Sequence, residues 1–377
     1  MAEANRPQLA VYYFPNFHRD PRNERLHGAG WTEWHLVRQA LPRFAGHQQP
    51  KTPLWGYEDE ADPAVFARKL DVAADHGVDV FLFDWYWYDG PFLHRALDEG
   101  YLQADNTDRV RFALMWANHD WVDIFPAKPN QPPRLLFPGA VDRAAFDRVT
   151  EHLVGRYFTH PAYWTLEGRP FFSIYELSRL IDGLGGIAQT ADALNTFRQR
   201  CRRAGLPGLH LNAVVWGIQL LPGETSVASP ATLVADLGFD SVTSYVWIHH
   251  VPLPAFPSTG YAEVAGAAAR YWDQATPEFT VPYYPNVTVG WDSSPRTEPS
   301  HGFQNTGYPF MPVLGDNSPE AFRTALARAR DFTAADGRRP AVVTVNAWNE
   351  WTEGSYLEPD TTHGMAYLEA IQSVFRV

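Results

Sequence analysis

Apolar residues fall into short runs separated by longer stretches in which they recur at three- and four-residue spacing, the alternation of strand and helix. Eight runs read as strands: Leu9–Phe17, Val78–Trp87, Arg111–Asn118, Pro170–Tyr175, Leu209–Trp216, Ser241–Trp247, Phe279–Tyr284 and Ala341–Asn349. Between them the spacing predicts helices over Pro63–His76, Pro91–Gly100, Arg143–Phe158, Thr190–Ala204, Ala228–Leu237, Tyr261–Ala275 and Pro319–Ala335, with a last one over Gly364–Val377. Strands that alternate with helices pair in parallel through right-handed crossovers. Eight such units predict an α/β fold, a (β/α)8 TIM barrel occupying residues 1–377 as a single catalytic domain. No Gly-x-Gly-x-x-Gly follows the first strand, which removes the main signal for a dinucleotide-binding sheet.

The pleat sharpens this expectation. Around Ala341–Glu350, Val343, Val345 and Ala347 alternate with Thr344, Asn346, Trp348 and Glu350. In a barrel the second column points into the lumen, and its C-terminal end lies at the mouth where active sites are built. Similar columns are Val80, Leu82, Asp84, Tyr86; Phe112, Leu114, Trp116, Asn118; Phe171, Ser173, Tyr175; and Ser241, Thr243, Tyr245. Three long loops, about His18–Asp62, His119–Asp142 and Asn286–Ser318, are expected to wall the mouth at the C-terminal face.

The densest candidate chemistry is Asn346–Asp360, where Glu350, Glu353 and Glu358 sit among Asn349, Trp348, Trp351 and Tyr356. Paired carboxyls beside aromatic platforms suit glycosyl transfer: one protonates the leaving oxygen, the other supports attack at the anomeric carbon, and rings hold the sugar's apolar face. Apolar surroundings disfavour charge, so one of Glu350 and Glu353 is expected to stay protonated as the acid, and Glu353, past the turn, takes that role. Candidate sugar-binding groups are Trp31, Glu33 and Trp34; Asp84 and Tyr86; Trp116, Asn118 and His119; Tyr175 and Glu176; Tyr245; and Trp291 with Asp292. For each alone, packing or a salt bridge is the competing role. Glu358, before Pro359, divides evenly between the two.

Composition then excludes whole classes. Hydrophobic residues at 45% and charged ones at 20% describe a globular chain, not a disordered or coiled-coil one. A formal charge of −12 without a basic block argues against nucleic acid or an anionic membrane as partner. One cysteine excludes an intrachain disulfide and a thiolate zinc site, and Cys201 falls on a helix's apolar stripe. No His-x-His ends the first strand, no Asp-x-Asp follows a strand, and no Gly-x-Ser-x-Gly occurs, so neither metal nor cofactor is expected. His249 and His250 are adjacent and point apart on an extended chain. Core packing absorbs many of the 14 Trp, 17 Tyr and 23 Phe, but 14 Trp exceed what packing alone usually needs, and a carbohydrate is the expected partner. The polar start, running into an apolar strand at Leu9, shows no signal-peptide pattern; a cytoplasmic location is expected, or a secreted or periplasmic one after removal of a leader. No run approaches the roughly 20 apolar residues of a membrane span.

The motifs Tyr12-Tyr-Phe-Pro-Asn-Phe-His18, Gly30-Trp-Thr-Glu-Trp34, Phe44-Ala-Gly-His-Gln-Gln-Pro50, Trp116-Ala-Asn118, Gly290-Trp-Asp292 and Asn346–Asp360 resemble those of the WbsX-type proteins, relatives of glycoside hydrolase family 99, the endo-α-mannosidases. The resemblance runs from about Leu9 to Asp360. It implies a (β/α)8 barrel, metal independence and retention of anomeric configuration. It makes Glu350 the base that deprotonates the sugar 2-hydroxyl, giving a 1,2-anhydro intermediate, and Glu353 the acid and then base. Where those hydrolases carry histidine, this chain has Thr352. A retaining hydrolase of α-linked, mannose-like residues is the leading expectation. A glycosyltransferase or transglycosylase of surface polysaccharide assembly is the alternative, and a non-catalytic carbohydrate-binding barrel a further one.

Overall fold

Strand order settles the architecture. β1 (Gln8–Tyr13), β2 (Val80–Trp87), β3 (Arg111–Trp116), β4 (Arg169–Ile174), β5 (His210–Val214) and β6 (Ser241–Thr243) pair in parallel, each with the next. β7 comes in two pieces, Tyr283–Tyr284 and Asn286–Thr288, on either side of Pro285. The first piece pairs with β6 and the second with β8 (Val342–Asn346), which returns to β1. Nine parallel segments thus fill eight positions of a (β/α)8 barrel. The computed structural model describes residues 6–376, so Met1–Asn5 and Val377, the end of the helix expected over Gly364–Val377, lie outside the described residues.

Local chemistry explains where the outer helices begin. Pro63 and Pro319 open helices Pro63–Asp75 and Pro319–Asp336, and Asp62 and Ser318 accept the orphan amides of Ala64 and Ala321. Gly337, at φ 68°, ends the second of these in the left-handed region. Cys201 is buried on helix Ile187–Arg203 as expected, its thiol pushed up to about 12 by burial. Among the described residues no helix is long and apolar enough to cross a membrane.

Three element expectations need correction. Pro91–Gly100 is not one helix: Pro91–Phe92 pairs back on Tyr86 and Trp87, and only Ala96–Gly100 coils, as a π-turn. The seventh strand lies later than Phe279–Tyr284, so Asn286 belongs to it and not to the following loop. The helix Leu177–Leu184 had no counterpart in the expected set.

The pleat of β3 is the larger correction. Asp84 pairs in register with Met115, so odd positions of β3 share the lumen face with even positions of β2. Met115, Ala117 and His119 face the mouth, whereas Trp116 packs outward, 6.1 Å from Phe146 and 6.5 Å from Trp85. The strand's two faces are both apolar, so hydrophobicity could not choose between them.

Candidate active site

At the C-terminal mouth lies an open cavity of about 680 Å³, counting the solvent space it opens onto. β2 contributes Asp84 and Tyr86, the β3 end Met115, Ala117 and His119, the β4 end Tyr175, and the β6 end Tyr245. Phe14 follows β1 and Trp291 follows β7, and the loop after β3 adds Trp121, Ile124 and Phe125. Glu350 and Glu353 arrive from a small hairpin, Asn349–Glu350 with Ser355–Tyr356, and its 3-10 turn Trp351–Glu353. β8 itself ends at Asn346, so the column Thr344, Asn346, Trp348, Glu350 is not one pleat. Glu350 reaches the cavity; Trp348 turns to the helix side, 4.9 Å from Phe81.

One cation organises the carboxyls. Arg296 donates from Nε and Nη2 to Glu33 Oε1 (3.0 and 2.9 Å), from Nη2 to Glu350 Oε2 (3.3 Å) and from Nη1 to Glu353 Oε1 (2.5 Å). The Tyr308 hydroxyl also donates to Glu353 Oε1, at 2.7 Å. Arg296 is 5% exposed, and its guanidinium lies over Phe14 at 5.3 Å. Glu33 is further held by the Asn16 amide and the Thr352 hydroxyl, both at 2.5 Å.

This arrangement sets the protonation of the pair. Burial raises both glutamates, and the charge of Glu353 raises Glu350 further. Arg296 and the Tyr308 hydroxyl oppose the rise at Glu353, while Glu350 sits well above the usual carboxyl range. Tyr245 places its hydroxyl 2.9 Å from Asp84 Oδ2 and 3.3 Å from Glu350 Oε1. A phenol has one proton to give, so one of these acids must supply the proton of the other contact. Burial pushes Asp84 far up as well, and its Oδ1 has no partner. An extra proton is therefore held between Asp84 and Glu350, across the Tyr245 hydroxyl.

Of the residues singled out in the sequence, Asp84, Tyr86, His119, Tyr175, Tyr245, Trp291, Glu350 and Glu353 come together in the cavity wall. The others do not line it. Trp31 lies behind the wall, 6.0 Å edge-on to Phe125, and Trp34 packs on Phe17 at 4.1 Å with its indole N–H on the Glu58 carbonyl. Asn118 bridges the backbone N–H and carbonyl of Glu176, a packing role that replaces the expected inward one. Glu176 is buried against Ser178 and the Thr225 amide, and burial pushes its carboxyl to about 8. Asp292 accepts from His47 at 2.8 Å and Gln49 at 2.6 Å, and its own amide holds the Glu353 carbonyl. Asn346 is fully buried with neither side-chain atom partnered. Trp116, Trp348, Asn349, Trp351 and Glu358 are packing or anchoring groups outside the wall. Most of the aromatic surplus is thus core. Arg296, Tyr308, Phe14, Trp121, Phe125 and His249 were missed. The signal for Arg296 was indirect: several glutamates expected in one apolar mouth require a cation.

His119 and His249 stay neutral, the first pushed down to about 4 and the second well below its ordinary value, both chiefly by burial. His249 faces Tyr175 while His250 contacts Ser244 at 2.7 Å, so the adjacent histidines do point apart. Among the described residues no group of three or more His, Cys, Asp or Glu is placed to hold a metal ion.

The model of the family described as Glycosyltransferase WbsX matches residues 9–371. An uncharacterised protein designated WxcX, from Xanthomonas campestris pv. campestris, is 30% identical over 365 residues, which cover 96% of this chain and 48% of that protein. The chain therefore spans about half the length of the curated relatives it matches. Among solved structures, the GH99 endo-alpha-mannosidase from Bacteroides thetaiotaomicron is 16% identical, with a TM-score of 0.58 over 98% of this chain and 97% of its own. A protein described as glycoside hydrolase-like is 15% identical, with a TM-score of 0.63 over 99% and 94%. At these identities the likeness is one of fold.

Proposed function

The chain belongs to the WbsX family, and from that premise we propose that it is a retaining, metal-independent glycoside hydrolase cleaving α-linked, mannose-like residues in a polysaccharide or oligosaccharide. The observation that carries the proposal is Arg296 joining Glu350 and Glu353 in an aromatic-walled cavity. Two acids sharing about one proton can take and give protons on opposite sides of an anomeric centre.

In the first step Glu350 takes the proton of the sugar 2-hydroxyl, whose oxygen attacks the anomeric carbon. The glycosidic bond breaks and Glu353 protonates the departing oxygen, leaving a 1,2-anhydro sugar. Water then attacks the same carbon, Glu353 takes its proton, and the opened 2-oxygen recovers the proton from Glu350. Two inversions give retention. The step needs Glu350 ionised and the proton on Glu353. A sugar whose 2-hydroxyl donates to Glu350, and whose glycosidic oxygen accepts from Glu353, favours the productive arrangement of that shared proton. Asp84 supplies an unpartnered oxygen for a sugar hydroxyl, and Trp121, Phe125 and Trp291 supply ring faces.

The family's description favours a second reading, transfer from an activated donor by the same glutamates. Against a nucleoside diphosphate donor stands the cavity wall: its one Lys or Arg among the described residues is Arg296, already committed to three glutamates. A panel of polysaccharides and aryl glycosides tests the leading proposal, with products identified by mass spectrometry and the first-formed anomer by NMR. Retained product, intact turnover after chelation and no cleavage of a 2-deoxy substrate are expected. Cleavage of the 2-deoxy compound at the normal rate overturns the anhydro route, and donor binding in calorimetry without glycoside turnover favours transfer.

A further inference from the structure

A second cation sits on the sealed side of the segment that carries Glu350. Lys69, on helix Pro63–Asp75 and 1% exposed, places Nζ 2.6 Å from Glu60 Oε1, 2.6 Å from Glu358 Oε1 and 3.0 Å from the Tyr13 hydroxyl. Glu358 accepts the Trp348 indole N–H on Oε1 at 3.0 Å and the Trp351 indole N–H on Oε2 at 2.7 Å. Glu60 accepts the Asn349 amide at 2.8 Å, and the same amide group grips both the N–H and the carbonyl of Phe14 at 2.8 Å. Residues 348, 349 and 351, which flank Glu350, therefore all end on two carboxyls held by one lysine.

Burying two carboxyls against one ammonium is costly, and replacing such a group by apolar side chains of similar volume is often neutral or stabilising. Packing alone does not account for it; Glu60 Oε2 is even left without a partner. What the cluster does is fix three consecutive anchor points around a glutamate whose own contacts, at 3.3 Å to Arg296 and Tyr245, are long. We propose that Lys69, through Glu60 and Glu358, is a positioning residue for Glu350, holding its carboxyl in line with the sugar without touching substrate. The inference rests on the glycosidase proposal for its catalytic consequence, though not for its geometry. Displacing a reacting group by about 1 Å costs on the order of 10² in rate.

The test uses variants that delete one N–H while keeping a ring, Trp351→Phe and Trp348→Phe, together with Glu358→Gln. On the best glycoside of the panel, each is expected to lower kcat by about 10- to 100-fold with KM changed less than about twofold. Each is also expected to shift the pH–rate profile. In parallel, carboxyl carbon NMR follows the titration of Glu350 in wild type and Trp351→Phe, a readout that needs no substrate; a displaced Glu350 titration is expected. Folded variants with wild-type kcat, pH profile and Glu350 titration overturn the positioning role. Should wild type turn over no glycoside, the glycosidase proposal fails, and the titration still decides this one.

Discussion

Arg296 and Lys69 lie on opposite sides of the same short segment, and each is clamped by glutamates. At Lys69 the carboxyls are closed off: Glu358 accepts on both oxygens from indoles and ammonium, and Glu60 from ammonium, phenol and amide. At Arg296 the clamp opens on a cavity, and Glu350 is held only by contacts of 3.3 Å beside Asp84 with its free Oδ1. Glu350, Glu353 and Glu358 read alike in sequence, as glutamates among tryptophans. What separates them is room. A carboxyl that faces a cavity can exchange its proton with a ligand, whereas one sealed in the core among fixed donors can only hold other groups in place.

The largest effect that follows is the loss of Glu350 or Glu353. Each Glu→Gln change is expected to lower kcat by at least about 10²–10⁴ while glycan still binds. An activated leaving group is expected to restore part of the loss in Glu353→Gln and none in Glu350→Gln. Near wild-type kcat in both removes the pair from the chemistry and with it the distinction between the two clusters.

The cations come next, and they should fail differently. Lys69→Met leaves sealed carboxyls uncompensated, and the expected cost in unfolding free energy is about 3–5 kcal/mol, read by urea denaturation. Arg296→Met leaves Glu350 and Glu353 on a cavity wall and Glu33 fully buried, and what sets it apart from Lys69→Met is its effect on titration. A cation favours the ionised form, so its removal raises both glutamates and moves the pH–rate profile to higher pH. A profile that stays put, or moves down, contradicts Arg296 as the group that holds Glu353's proton affinity low.

How far the chain announced all this depends on which force decided each part. Strand–helix alternation with Pro-opened helices carried the barrel, because periodicity and capping are local. Asp84, Tyr175 and Tyr245 fell on the correct face since their strands alternate in polarity. Trp116 and Asn118 did not, because β3 is apolar on both faces and its register is set by β2, a non-local partner. Trp348 and Trp351 were assigned to the sugar although they serve Glu358. An indole beside a glutamate means stacking or anchoring according to which side of the segment the N–H finds its acceptor. Arg296, in the middle of a long loop, had no periodicity to reveal it.

A buried acid outside both clusters tests whether partner supply is the governing variable. Glu176 has one oxygen satisfied and Oε2 without a partner, and its carboxyl is raised from 4.5 to about 8. Between those values the folded state keeps a proton that the unfolded chain has lost, so stability falls as pH rises from about 5 to 8. The expected fall is about 3–4 kcal/mol. Glu176→Gln should flatten the slope measured by urea denaturation at both ends of that window. An unchanged slope means that Glu176 is ionised in the folded protein.

The smallest effects divide two tryptophans near the end of the same strand, one on each side of the barrel wall. Trp121 lines the cavity, stacked 5.3 Å from Phe125 and edge-on to Tyr86 at 5.2 Å. Trp116 lies among Phe146 and Trp85 on the helix side, with its indole nitrogen unpartnered. A ring face offered to a sugar is worth about 1–3 kcal/mol, the scale of burying one large apolar side chain. Trp121→Ala is therefore expected to weaken glycan binding by that amount, measured by calorimetry on Glu350→Gln protein so that no turnover intervenes. Trp116→Phe keeps a ring in the same place and gives up no hydrogen bond, but it loses the second ring of the indole. It is expected to leave glycan affinity unchanged and to cost about 1–3 kcal/mol of stability, through the cavity the smaller ring leaves. Affinity that falls with Trp116→Phe and survives Trp121→Ala requires the opposite pleat for β3, and with it a different wall for the cavity.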